Sequence, residues 1–300
     1  MNLKKYVYIA LSLLVIGFAM VYFMQQSQKT ITEPATEHEH DMEQEQKEQD
    51  EDNKSDANEE KQEQEKETKQ PGLPPSISGA LQSTVSFFSN QETKIVAIGD
   101  SLTQGVGDET EQGGYIGILE RTINDGLQTV EIDNFGKRGN RTDQLLKRLE
   151  KQEIRDAIAD SDLVLITIGA NDIMKIAREN IMHLVIDDFV AEMEDYETRI
   201  RQIFDKITAL NPDTHIYLVG FYNPFKKYFK DIKELDLIVG KWNTASSSIA
   251  SEYENITFIP TEDLFKVTNT NLFAEDNFHP NYEGYYLIAE RVLDYITSRR

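Results

Sequence analysis

No cysteine occurs anywhere in the 300 residues, which excludes disulfides and attachment of a lipid through a thioether. For a domain outside the membrane with a sufficient core, that absence is unremarkable. Basic charge is scarce as well: 31 Lys and Arg stand against 53 Asp and Glu, a formal net charge of −22. Phosphate binding needs a basic footprint, so this balance argues against nucleic acid as a partner. No Gly-x-Gly-x-x-Gly occupies the first predicted strand-to-helix turn, which leaves nucleotide binding the weaker option. Histidine is limited to His38, His40, His183, His215 and His279, and any imidazole chemistry must draw on one of these.

Large apolar residues are nearly missing from about Gln25 to Gln70. The tract is rich in Glu, Gln, Lys and Asp, too hydrophilic to offset its own ordering entropy, and reads as a disordered tether. A coiled coil is the competing reading, but no apolar a/d seam supports it. Ile31 to Gln70 holds 16 acidic and 5 basic residues, hence 11 of the 22 net negative charges. Ahead of this tract, Lys4 and Lys5 precede Tyr6 to Met24, nineteen residues without a charge and long enough to cross a bilayer. Basic residues before the run favour a cytoplasmic amino terminus, with everything after it translocated. Tyr22-Phe23-Met24-Gln25-Gln26 is bulky and offers no small-x-small cleavage site, so an uncleaved anchor is preferred to a signal peptide. The expected organisation is a membrane anchor over 1–24, an acidic linker with a short pre-domain segment over 25–92, and a folded extracytoplasmic domain over 93–300. Cleavage after the apolar run would make the protein secreted instead.

Within the domain, strand-like runs at Lys94–Gly99, Thr129–Asn134, Leu163–Ile168, His215–Gly220 and Ile256–Ile259 alternate with helical periods. The latter fall at about Tyr115–Asp125, Thr142–Ala159, Asp187–Leu210, Ile232–Tyr253 and Asn281–Arg299. Such alternation predicts an α/β fold, a five-stranded parallel sheet between two helical layers. A short helix near Leu81–Phe88 is expected to pack against it.

The first strand carries the strongest chemical signal. Ile95-Val96-Ala97-Ile98-Gly99 is an apolar run that ends in Asp100-Ser101-Leu102-Thr103-Gln104-Gly105, and ligands of open α/β sheets collect just past the carboxyl ends of such strands. A serine hydroxyl is a poor nucleophile until a base takes its proton. His38 and His40 lie in the acidic tract, His215 opens an apolar run as a strand-edge residue, and His183 has no acidic residue spaced to orient it. His279 does: Asp276-Asn277-Phe278-His279-Pro280 puts a carboxylate three residues before an imidazole, able to hold Nδ1–H and leave Nε2 free toward Ser101. The plainer reading is a loop ending at the helix that starts near Asn281. Acyl transfer also needs oxyanion donors, and two more strand exits supply candidates. These are Asn171 in Gly169-Ala170-Asn171-Asp172 and Gly139 in the turn Asn134 to Asn140; the alternatives are a helix cap for Asn171 and simple turn chemistry for Gly139.

Taken in chain order, with Ser101, Gly139, Asn171 and then Asp276 to His279, these four segments resemble the four-block signature of the SGNH, or GDSL-type, esterase and lipase family, over roughly residues 93 to 297. The resemblance implies a flavodoxin-like arrangement of the sheet, which the sequence alone does not distinguish from a dinucleotide-binding order. It further implies Ser101 as nucleophile, His279 as base and Asp276 as its orienting acid. The Ser101 and Gly139 N–H groups with the Asn171 side chain become the oxyanion hole, and Asp100 is structural. The expected activity is ester hydrolysis through an acyl-enzyme, with neither metal nor other cofactor required.

Substrate choice is less constrained. Phe221 and Tyr222 open an aromatic and basic loop that runs to Phe229, and Phe273 and Phe278 flank the base; these four are the candidate pocket residues. Lipid esters of the lysophospholipid kind suit a membrane-tethered enzyme, and acetylated cell-wall sugars suit an envelope location. A non-catalytic protein that reuses the fold to bind lipid or envelope polymer is the alternative of a different class.

Overall fold

Five short apolar runs pair in parallel. In the computed structural model, which describes residues 87–88, 92–125, 130–179, 186–224, 233–266 and 270–298, they form strands β1 (Thr93–Gly99), β2 (Val130–Gly136), β3 (Leu163–Thr167), β4 (His215–Val219) and β5 (Ile256–Ile259). The spatial order is β2-β1-β3-β4-β5, with every pair parallel. This is the flavodoxin-like order, and its switch point lies where β1 sits between β2 and β3.

Eight α-helices follow the strands among the described residues: α1 (Ser101–Gln104), α2 (Gly114–Ile123), α3 (Thr142–Arg148), α4 (Gln152–Ala159), α5 (Ala170–Glu179), α6 (Ile186–Leu210), α7 (Lys233–Ala250) and α8 (Tyr282–Ser298). Successive strand residues leave opposite faces of the sheet, so each strand feeds two cores. Val96, Ile98, Ile166 and Leu218 pack on one side against Leu145, Ile158, Ile173, Ile203 and Trp242 from α3 to α7. Ala97, Leu165 and Val219 pack on the other against Tyr115 and Ile118 of α2 and Tyr285, Ile288 and Val292 of α8. Ile166 is wholly buried, and Ile166→Ala would cost about 2–5 kcal/mol in lost transfer energy and cavity formation. Phe88 is buried in the α2/α8 core, while its neighbour Phe87 faces solvent.

Three expectations change. The helical period Thr142–Ala159 is two helices, because Lys151 is extended, with ψ of 132°. The anchors Leu145, Leu149, Ile154 and Ile158 explain the break: the middle step of five turns a straight helix by about 140° off its stripe, and the interruption returns Ile154 to the core. Strand β2 runs to Gly136, two residues past the predicted end, since its register with β1 continues through Gly99 opposite Gly136. Helix α5, absent from the sequence reading, buries Ile173, Met174 and Ile176; that spacing was the available signal. Among the described residues no helix is long and apolar enough to cross a membrane. The run Tyr6 to Met24, the acidic tract, His38, His40, His183 and the loop residues 225–229 lie outside the described residues.

Candidate active site

Strand β1 delivers Ser101 to the carboxyl edge of the sheet at the switch point. The delivery depends on Gly99, whose φ is +152° and whose missing side chain admits the Thr167 carbonyl of β3; a Cβ there would lie 2.0 Å from that oxygen. The Asp100 N–H then donates to the same carbonyl at 2.9 Å. Asp100 caps α1, its Oδ1 accepting from the Leu102 N–H at 3.0 Å and from the Thr167 hydroxyl at 2.8 Å. Burial pushes the Asp100 carboxyl up to about 7, against the pull of those two hydrogen bonds. Its hydrogen bonds serve the turn, which leaves Ser101 as the first residue of α1.

The loop between Leu272 and Asn281 brings the base from 178 positions away. Phe273 bridges Pro280, the Ala274 N–H donates to the His279 carbonyl at 2.9 Å, and Asn277 takes the left-handed region at φ 51° to close the turn. Asp276 Oδ1 accepts the N–H groups of Phe278 at 3.0 Å and His279 at 2.9 Å. Its Oδ2 lies 2.5 Å from His279 Nδ1, and His279 Nε2 lies 3.0 Å from Ser101 Oγ. A carboxylate only accepts, so Nδ1 carries the proton and Nε2 offers its lone pair to the hydroxyl. Burial acts to raise the Asp276 carboxyl, but the hydrogen bonds from the His279 ring and backbone prevail and hold it at about 2. Ser101 and His279 are themselves buried. A hydroxyl, an imidazole and an ionised carboxyl thus form one chain that can move a proton off the serine.

Two further strand exits border this chain. Strands β1, β2 and β3 end at one level, with Gly99 opposite both Gly136 and Thr167. Beyond β2, the Asn140 N–H donates to the Lys137 carbonyl at 3.1 Å, closing a tight turn. Gly139 within it adopts φ of +78°, a region that suits glycine, and beyond its two chain neighbours nothing described lies within 4 Å of where its Cβ would be. Beyond β3, Asn171 donates Nδ2 to the Asn140 carbonyl at 3.0 Å, which orients its amide and leaves the second N–H available. Asp172, fully buried, accepts from the Thr142 backbone N–H at 3.1 Å and hydroxyl at 2.6 Å, so the Asn171 turn and the start of α3 are clamped together. The Ser101 and Gly139 N–H groups donate to no acceptor among the described residues.

Of the candidate site residues, the structure joins Ser101, Asp276 and His279 by direct contact and brings Asn171 to the Gly139 turn. The aromatic candidates divide. Phe221 is buried in the core against Tyr196, with its ring edge close to Gly169. Tyr222 is likewise buried; it stacks on Phe265 with ring centroids 4.1 Å apart, and its hydroxyl donates to the Phe278 carbonyl at 2.9 Å, holding the loop of the base from behind. An aromatic run in sequence does not reveal which ring turns inward. Phe273 and Phe278 stay half-buried on that loop, with Phe278 edge-on to the His279 ring at 5.0 Å. His215 opens β4 as expected and pairs with the Thr257 hydroxyl at 2.8 Å. Sequence reasoning missed Asn140 and Asp172, whose roles depend on hydrogen bonds across 30 or more positions.

Residues 97–287 match the GDSL-like lipase/acylhydrolase family. The chain is 38% identical to the uncharacterized protein YpmR of Bacillus subtilis over 202 residues, which cover 66% of this chain and 79% of that protein. Among solved structures, the lipase Lip_vut3 from a goat rumen metagenome superimposes with a TM-score of 0.60 at 23% identity, covering 67% of this chain and 95% of its own. The acetylxylan esterase Axe2 of Geobacillus stearothermophilus does so with a TM-score of 0.53 at 23% identity, covering 69% and 94%. These two structures share the fold with this chain.

Proposed function

The chain belongs to the GDSL-like lipase/acylhydrolase family of carboxylic ester hydrolases, and on that premise we propose that it hydrolyses lipid esters through an acyl-enzyme on Ser101. Ser101 Oγ attacks the ester carbonyl while His279 Nε2 takes the proton, and Asp276 stabilises the imidazolium that forms. The carbonyl oxygen becomes an oxyanion received by the N–H groups of Ser101 and Gly139 and the Asn171 amide. Collapse expels the alcohol, which takes the proton from His279. Water then repeats the attack under the same base and releases the carboxylic acid. The observation that carries this reading is the chain of contacts at 3.0 and 2.5 Å linking Ser101, His279 and Asp276.

Two features support a lipid ester. The apolar run Tyr6 to Met24 behind Lys4 and Lys5 would tether the domain beside a membrane on its outer face, and half-buried Phe273 and Phe278 offer apolar surface next to the base. The test is turnover of p-nitrophenyl acetate, butyrate, octanoate and laurate by the purified full-length chain. Rising kcat/KM with chain length is expected. Activity confined to the acetate would replace lipid esters with small acetyl esters such as those on carbohydrate, and no turnover by folded protein would favour a binding role.

A further inference from the structure

The oxyanion side of the site rests on a cation. Arg148, the last residue of α3, is half-buried, and its guanidinium donates to three acceptors: Asn140 Oδ1 at 2.8 Å, the Gly99 carbonyl at 3.3 Å and the Phe135 carbonyl at 2.5 Å. All three are uncharged. Among the described residues no carboxylate lies within ion-pair distance of it. A charge partly withdrawn from water with no ion-pair contact is costly, and desolvation lowers the Arg148 pKa against the opposing charge of Glu153.

What distinguishes Arg148 is what its three acceptors govern. Gly99 stands two residues before Ser101 and its carbonyl also receives the Lys137 N–H at 3.0 Å, so β1 and the turn after β2 meet at that oxygen. Phe135 is the penultimate residue of β2, just before that same segment. Asn140 follows Gly139, and its own carbonyl takes the Asn171 amide at 3.0 Å. Each of the three N–H groups assigned above to the oxyanion therefore sits within two residues, or one hydrogen bond, of a group that the guanidinium holds. The planar fork fixes several acceptors at once, and its positive charge has the sign that favours an oxyanion nearby.

We propose that Arg148 is a positioning residue for ester hydrolysis: it sets the Ser101, Gly139 and Asn171 donors in one register and so stabilises the tetrahedral transition state in preference to bound substrate. The proposal rests on the ester-hydrolase reading. It is tested with the full chain and the variants Arg148→Ala, Arg148→Lys and Asn140→Ala, on p-nitrophenyl butyrate and with an alkyl boronic acid as tetrahedral mimic. In Arg148→Ala, kcat should fall on the order of 10- to 100-fold, the scale of small misplacements of reacting groups, with KM nearly unchanged. Boronate affinity should fall by the same factor as kcat/KM, and added guanidinium ion should restore part of the rate. Arg148→Lys keeps the charge without the fork and should fall between wild type and Arg148→Ala; Asn140→Ala keeps the guanidinium and should show a smaller loss in the same parameters. Should Arg148→Ala fail to fold, the other two variants carry the test. Wild-type kcat and boronate affinity per phosphonate-titrated site in the folded variants would overturn the proposal. An inactive wild-type protein would instead overturn the ester-hydrolase reading.

Discussion

Asp100 is buried while Asp276 stays exposed, both within a few residues of the reacting atoms, and their carboxyls move in opposite directions. Burial dominates at Asp100 and raises it to about 7, whereas hydrogen bonds from His279 outweigh burial at Asp276 and lower it to about 2. An unfolded Asp titrates near about 3.9. Asp100 is therefore protonated in the folded chain and ionised in the unfolded one between about pH 4 and pH 7, so its contribution to stability is full below that window and lost as pH rises through it. The slope is about 1.4 kcal/mol per pH unit while only the folded state holds the proton. Asp100→Asn should remove this slope, and thermal melts from about pH 5 to about pH 7 should show the variant gaining on wild type; a constant difference would show that Asp100 is charged throughout. Asp276 behaves in the opposite sense, its contribution present above about pH 4 and lost only toward pH 2. Asn171→Ala should lower kcat by roughly 10²- to 10³-fold, as losses of single oxyanion donors do. A loss of tenfold or less in steady-state assays would remove Asn171 from the hole.

Elements and loops set where those residues stand. The turn after α1 passes directly behind the base: a Cβ on Gly107, at φ +98°, would lie 2.6 Å from the Pro280 carbonyl and 2.7 Å from His279 Cβ. Gly107→Ala must displace the imidazole or the turn, and kcat should fall on the order of 100-fold, more than any loss of thermal stability explains. Unchanged single-turnover kinetics would show that the two loops yield without moving the base. The strands were legible because buried parallel strands are short apolar runs bounded by turn residues, and the polar group at each strand exit was legible for the same reason. The pairing of Ser101 with His279 was legible by eliminating the other histidines and through the resemblance, since no local pattern spans 178 positions. Arg148 was not legible at all: in sequence it is a basic residue in the last turn of a helix, where the helix dipole alone accounts for it. Nor could the sequence separate Phe221, which turns into the core, from Phe278 beside the base, because both are aromatic residues past a predicted strand.

At the scale of the molecule, charge and hydrophobicity are segregated along the chain. Half of the net charge of −22 falls in Ile31 to Gln70, directly after the apolar run Tyr6 to Met24. An anchored enzyme on a long hydrophilic tether could work on esters of the same membrane or of the envelope around it. Full-length protein expressed in cells should sediment with membranes and resist alkaline wash, and deletion of residues 1–24 should release it with kcat on soluble esters intact. Recovery of the full-length chain in the soluble cytosolic fraction would exclude the anchor. The central claim, that Ser101 is a nucleophile activated by His279, is tested most directly by labelling. Purified protein treated with an alkyl fluorophosphonate and digested for mass spectrometry should carry one adduct, on Ser101, formed far more slowly in His279→Ala and absent in Ser101→Ala. Folded wild-type protein that stays unlabelled, or that carries the adduct on another residue, would contradict the account.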